Sequence, residues 1–150
     1  MQRNTFLFAA MLASLAACGK KEAPADQTPP AAIPAPAPVA AVSGIELGRH
    51  LAANNSVAEA ATVFGKRDTI YVSVVTDNAG PTSSLTAKWT FQTGQLVDST
   101  TQALARTDST NTTTVTEFHI SKKSAWPAGK YAVEIWLDGV SAGRREFDVK

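Results

Sequence analysis

The sequence predicts an all-β domain, a single antiparallel β-sandwich of about seven strands spanning residues 44–150. Three observations predict it. Leu85, Ala87, Trp89 and Phe91 alternate with Thr86, Lys88, Thr90 and Gln92, a period of two with one dry face and one wet face. Turn-forming clusters such as Asp77-Asn78-Ala79-Gly80-Pro81 and Ala125-Trp126-Pro127-Ala128-Gly129 recur about every 8 to 12 residues. No segment carries an unambiguous helical repeat.

Taken in order, Ile45 to Leu51 alternates apolar and polar residues and suits an edge strand that includes His50. Asn54-Asn55-Ser56 then turns the chain. Val57 to Phe64 fits both periods: Val57, Ala60, Ala61 and Phe64 have helical spacing, while Val57, Ala61 and Val63 suit a strand. A strand is expected, because every later segment is one. Ile70, Val72 and Val74 form the dry face of the next strand. Gly94 breaks the strand ending at Phe91, and Gln95 to Ala105 resumes as a weak edge strand, rich in threonine and serine, carrying Leu96, Val97 and Leu104. Thr112 to Ser121 gives another strand, with Phe118 and Ile120 inward and His119 outward.

The last two strands form a hairpin around Asp138-Gly139. A two-residue turn pairs Leu137 with Val140 and, continued regularly, Val133 with Arg144, which leaves Phe147 on the wet side. A three-residue loop with Gly139 left-handed shifts the register by one. Val133, Ile135, Phe147 and Val149 then share the dry face, and this register is the expected one.

These positions resemble an immunoglobulin-like domain. Trp89 stands on the third main strand, where such domains keep a core tryptophan. Gly129-Lys130-Tyr131-Ala132-Val133 resembles their tyrosine-corner segment. The inter-sheet cysteine pair is missing, and Val72 and Val133 are expected in its place. The fold hosts binding, structural and catalytic proteins alike, so the resemblance implies no activity.

The first 43 residues read differently. Residues 1–17 have the form of an export signal: Arg3 is the positive end and Phe6 to Ala13 the apolar core. That core falls well below the roughly 20 residues a spanning helix needs. Leu15-Ala16-Ala17-Cys18 closes it and resembles the lipobox of bacterial lipoproteins, cleaved between Ala17 and Cys18. The resemblance implies a signal peptide over 1–17, an acylated Cys18 as the first mature residue, and attachment to a membrane through its lipids. An ordinary secretory signal cleaved after Ala17 is the plainer alternative. Gly19, rather than Asp, follows the cysteine, which by the same resemblance implies the outer membrane, facing the periplasm.

Residues 18–43 form the lipidated start and a linker. Six of the chain's eight prolines fall between Glu22 and Val42, mostly alternating with alanine. Proline removes amide donors and biases the preceding residue to extended geometry, so this stretch is expected to be a disordered, semi-rigid spacer. At about 3.1 Å per residue it reaches roughly 60 Å.

Charge and cysteine content narrow the function. A net charge of +1 with scattered basic pairs (Lys66-Arg67, Lys122-Lys123, Arg144-Arg145) leaves no footprint for nucleic acid. Cys18 is the sole cysteine, so neither a disulfide nor thiol catalysis is expected once it is acylated. His50 and His119 stand outside any cluster with metal-ligand spacing, so no metal and no cofactor are expected. No serine lies in a nucleophile-elbow pattern. Asn54-Asn55-Ser56 and Asn111-Thr112-Thr113 match glycosylation sequons but read as turn chemistry in a bacterial chain.

Trp136 opposes the parity of Val133 and Ile135, so it is expected on the outer sheet face, near Lys88 and Thr90 if the third strand neighbours it. There it either anchors a partner or packs beneath a loop or the linker. Trp126 is expected to cap one end of the sandwich, with partner contact as its second reading. The sequence thus predicts a non-enzymatic interaction or accessory module of the cell envelope, with Trp136, Lys88 and Trp126 as candidate contacts for an envelope protein. The alternative is a small-ligand carrier or enzyme inhibitor that binds through loops at one sandwich end.

Overall fold

A computed structural model describes residues 38–104 and 112–150. Ala17, Cys18, most of the proline-rich segment and Asn111 therefore lie outside the described residues. Eight strands follow in order: β1 (Ala41–Gly48), β2 (Val63–Phe64), β3 (Ile70–Asp77), β4 (Ser84–Phe91), β5 (Gln95–Ala103), β6 (Thr113–Ile120), β7 (Gly129–Leu137) and β8 (Val140–Val149). They form a three-stranded sheet, β1-β3-β6, and a five-stranded sheet, β2-β8-β7-β4-β5. All pairings are antiparallel except that of β2 with β8.

The inner faces follow the period of two. Ile70, Val72 and Val74 from β3 meet Leu85, Ala87 and Trp89 from β4, and Val133 and Ile135 from β7, all fully buried. Phe118 and Ile120 point inward from β6, as expected. Val72 and Val133 are both completely enclosed, so apolar packing occupies the place of the missing cysteine pair. Phe147 ties the aromatic part of the core together. It stacks on Tyr131 at 5.4 Å and meets Phe64 and Trp89 edge-on at 5.4 and 6.1 Å. The Tyr131 hydroxyl donates to the Pro127 carbonyl at 2.9 Å, a tyrosine corner. Burial pushes its phenol up from 10.0. Tyr131→Phe is expected to lower unfolding free energy by about 1 kcal/mol in urea titration. An unchanged midpoint would remove the corner from the stabilising contacts.

Four expectations need correction. Val57 to Phe64 is neither a full strand nor a helix. Only Val63–Phe64 is a strand, and isolated bridges Gly48↔Ala60 and Leu51↔Val57 fold the rest against the end of β1. Mixed periodicity reflected a segment held by single contacts. The first strand begins at Ala41, three residues before Gly44, and ends at Gly48, so His50 is exposed beyond it.

The hairpin is the third. Its turn has two residues, with Asp138 and Gly139 at φ 49° and 82°, and Leu137 pairs with Val140. The expected register arises further on, where a bulge between Ser141 and Gly143 sets Ile135 opposite Gly143 and Val133 opposite Arg145. Phe147 and Val149 are buried as expected, for a different reason. The fourth concerns Trp136, which pairs with Thr86, whereas Thr90 pairs with Ala132. The Asn54-Asn55-Ser56 turn is as read: Asn54 Oδ1 accepts from the Ser56 amide and hydroxyl, and Asn55 has φ 64°.

Candidate functional site

The register places the two ends of the sandwich. Ala41, Asp77 and Thr113 align at the end where the described chain enters, with Ser84 and the β7–β8 turn on the other sheet. Phe91, Tyr131, Trp126 and Ile120 gather at the opposite end.

At that opposite end a groove of about 570 Å³ runs between the start of β5 and the end of β6. Phe91 and Tyr131 pack at 4.6 Å, and Trp126 meets Tyr131 edge-on at 6.1 Å. Leu96 and Val97 form one wall; His119, Ser121 and Lys122 form the other. Leu96 is 61% exposed because it pairs with Thr90 on the outer face, and Val97 then bulges before Asp98 resumes pairing with Trp89. His119 Nδ1 lies 3.2 Å from Glu117, and Lys122 Nζ lies 5.9 Å from the Trp126 ring. The groove thus has an aromatic and aliphatic floor with carboxylate, imidazole and ammonium groups at its rim.

Asp68 fixes the tryptophan of this floor. Its carbonyl accepts from Trp126 Nε1 at 3.0 Å, and its carboxylate accepts from the Gly65 amide at 2.8 Å and Arg49 Nε at 2.9 Å. Arg49 also donates to the Val63 carbonyl. The Gly65 amide first, and then Arg49, hold the Asp68 carboxyl below its usual 3.8. A depressed carboxyl stabilises the fold above its unfolded-state value, and this contribution is lost as pH falls through the folded value. Thermal stability is therefore expected to drop on acidification below about pH 4. Asp68→Asn should start lower at neutral pH and lose less over that window. Parallel melting curves for the two proteins would remove Asp68 as a contributor.

The three residues singled out from the sequence do not share a surface. Lys88 and Trp136 do meet on the outer face of the five-stranded sheet, with Lys88 Nζ 3.8 Å from the indole centre. Glu134 sits between Lys88 and Arg144 in the pairing and accepts from the Ser141 hydroxyl at 2.6 Å. Trp136 is half-buried there. Trp126, by contrast, is only 5% exposed and packs into the core at the groove end. Among the described residues no group of three or more His, Cys, Asp or Glu is placed to hold a metal ion.

No protein-family model and no curated protein matches this chain. Solved structures do. An immunoglobulin-like protein from Pseudomonas aeruginosa superposes with a TM-score of 0.52 at 13% identity, covering 75% of this chain and 98% of that one. An alkylpurine DNA glycosylase from Pseudomonas fluorescens, bound to DNA containing an abasic site analog, gives 0.46 at 12% identity over 74% of this chain and 30% of its own. A β-glucosidase from Listeria innocua in complex with glucose gives 0.44 at 11% identity over 71% of this chain and 16% of its own. The first likeness, with the two-sheet topology and the tyrosine corner, makes the fold immunoglobulin-like. The other two cover a minor part of much longer proteins.

Proposed function

We propose that this chain is a lipid-anchored, non-enzymatic binding module of the bacterial envelope, held on the periplasmic face of the outer membrane. Cys18 carries the lipids, the proline-rich segment after it is the stand-off, and the sandwich holds a partner. The observation that carries the binding reading is the groove walled by Leu96, Val97, His119 and Lys122, at the end opposite the one where the chain enters. A domain tethered through Ala41 leaves that end free to meet a partner. The aromatic rings at the groove's base offer apolar contact, and the more polar remainder of the lining, with its charged rim, provides orientation. The same groove favours a second reading. Its volume falls within the roughly 300–1,000 Å³ of small-molecule sites, so a small ligand or a single inserted side chain would fit.

Crosslinking in intact cells, followed by detergent extraction and mass spectrometry, tests the site with two variants. Lys122→Glu reverses a charge at the groove wall, and Trp136→Ala removes the indole from the sheet face. Loss of the captured protein with Lys122→Glu but not with Trp136→Ala is expected. The reverse pattern would move the site to the sheet face around Lys88.

A further inference from the structure

The sheet edges of this sandwich are treated unequally. An unpaired edge strand is a template for another strand, and proteins ordinarily block it with loops, charges or side chains laid over its free carbonyls. On β1, Arg145 Nε donates to the Ile45 carbonyl at 3.0 Å, and the Ala61 amide donates to the Leu47 carbonyl at 2.8 Å. On β2, the Val63 carbonyl is taken by Arg49. On β6, Gln102 reaches from the opposite sheet to donate to the Glu117 carbonyl at 2.8 Å. Each of these three edges has at least one backbone carbonyl taken.

The fourth differs. Among the described residues the backbone of β5 pairs only with β4, and nothing covers its outer edge. The bulge at Val97 disturbs only the start of its pairing; Asp98 to Ala103 runs on regularly. That stretch contains no proline, lysine or arginine and is largely exposed. Thr100 and Thr101 favour extended backbone, so the strand is preformed for pairing.

We propose that the β5 edge pairs antiparallel with the β5 edge of a second copy of this chain, about a two-fold axis through Thr100, joining two five-stranded sheets into one. The residue pattern is self-complementary in that register. Directly opposed residues lie on one face of a sheet. Thr100 meets Thr100, Ser99 meets Thr101, and Asp98 meets Gln102. Threonine and serine pairs stabilise cross-strand contacts, and no like charges are opposed. Asp98, the one charged side chain of the stretch, faces a Gln102 amide that has a second N–H beyond the one spent on Glu117. An axis through Asp98 instead would oppose two carboxylates and run into the bulge.

Five residue pairs make a small contact. Confinement of copies to one membrane raises their effective concentration and compensates for that; to this extent the pairing rests on the anchored reading. The antiparallel arrangement points the two domains in opposite directions. The extended spacer expected from the sequence, roughly 60 Å at full reach, would exceed the about 30 Å length of the strands, which would allow both copies to stay on one membrane.

Single cysteines in the full-length chain, expressed with its own export signal, test the pairing. Across an antiparallel pair, opposed Cα atoms lie about 4.5–5.5 Å apart, within disulfide reach. Thr100→Cys is expected to give a covalent dimer on non-reducing gels. Ser99→Cys and Thr101→Cys should each stay monomeric alone and crosslink when co-expressed. The unsubstituted chain controls for Cys18, and intrinsic tryptophan fluorescence confirms that each variant folds. Any pattern in which Thr100→Cys is not the strongest single variant overturns the proposal. So does a disulfide adduct of the Thr100→Cys chain with a different protein, which would put a foreign strand on the edge. Membrane fractionation of the same cells reads anchorage separately, so a failure of pairing is distinguishable from a failure of the anchor.

Discussion

Replacing Cys18 with serine is expected to move this protein from the membrane fraction to the soluble fraction. Without the thiol no acyl group can be added. The region Phe6 to Ala13 is too short to hold the chain by spanning. Each buried methylene of an acyl chain contributes about 0.8 kcal/mol, and one chain alone gives only reversible attachment. The diacylglyceryl group that the lipobox resemblance implies supplies two chains, enough for stable residence. The expected change is therefore near-complete redistribution. Fractionation followed by immunoblotting and intact-mass measurement of the N-terminus checks it. A wild-type chain found in the soluble fraction, or without added lipid mass, would leave an ordinary secretory signal as the better reading; a Cys18→Ser chain that still sediments with membranes would mean that something other than acylation of Cys18 holds it.

Phe147→Ala should have the largest effect on stability. The ring is 3% exposed and touches Phe64, Trp89 and Tyr131, which come from three other strands. Truncating a buried phenylalanine removes its transfer free energy and leaves a cavity that the surrounding sheets cannot fully close, about 3–5 kcal/mol in total. Domains of this size have only about 5–15 kcal/mol of stability. At about 4–8 °C per kcal/mol near this size, the melting temperature should fall by more than about 12 °C. Phe147→Leu keeps much of the volume and should fall by less. Urea unfolding followed through tryptophan fluorescence measures both. A loss under about 1 kcal/mol for the alanine variant would mean that the core collapses around the gap and that Phe147 is not its hub.

Some of this structure was legible because the information is local. The alternation from Leu85 to Phe91 selects a strand and its dry face without reference to any other segment, and all three of Leu85, Ala87 and Trp89 are fully buried. The threonines of β5 mark an edge because an edge strand has no apolar face to bury on both sides, and β5 lies at the edge of its sheet. The tyrosine corner is likewise a short-range motif, closing within four residues.

The groove was not legible. It is built from Leu96, His119 and Trp126, which are far apart in the chain. Its wall depends on a bulge at Val97 that inserts one residue into a strand with no glycine or proline to announce it. Trp126 and Trp136 show the same limit. Parity and the expected neighbour put Trp136 on an outer face near Lys88, as found, but only the register of β4 on β7 made Thr86 rather than Thr90 its partner. Trp126 stands in a loop, where parity has no meaning, and its burial is decided by the Asp68 carbonyl that takes its indole N–H.

The β7–β8 hairpin separates the two kinds of determination. Sequence by itself determined that Val133, Ile135, Phe147 and Val149 must share a buried face, because a strand's side chains alternate and apolar ones leave water. It also placed the hairpin's turn around Asp138-Gly139, although the three-residue loop expected there gives way to a two-residue turn with both residues left-handed. How the odd residue is absorbed was decided elsewhere. Ile45 of the facing sheet presses on Gly143, where a Cβ would lie 2.6 Å from Ile45 Cδ1. A side chain at 143 would need that terminal methyl to move aside. The tight turn and the buried aromatic residues are reconciled by a bulge between Ser141 and Gly143, which faces a packing partner about a hundred residues away, and no local pattern carries that information.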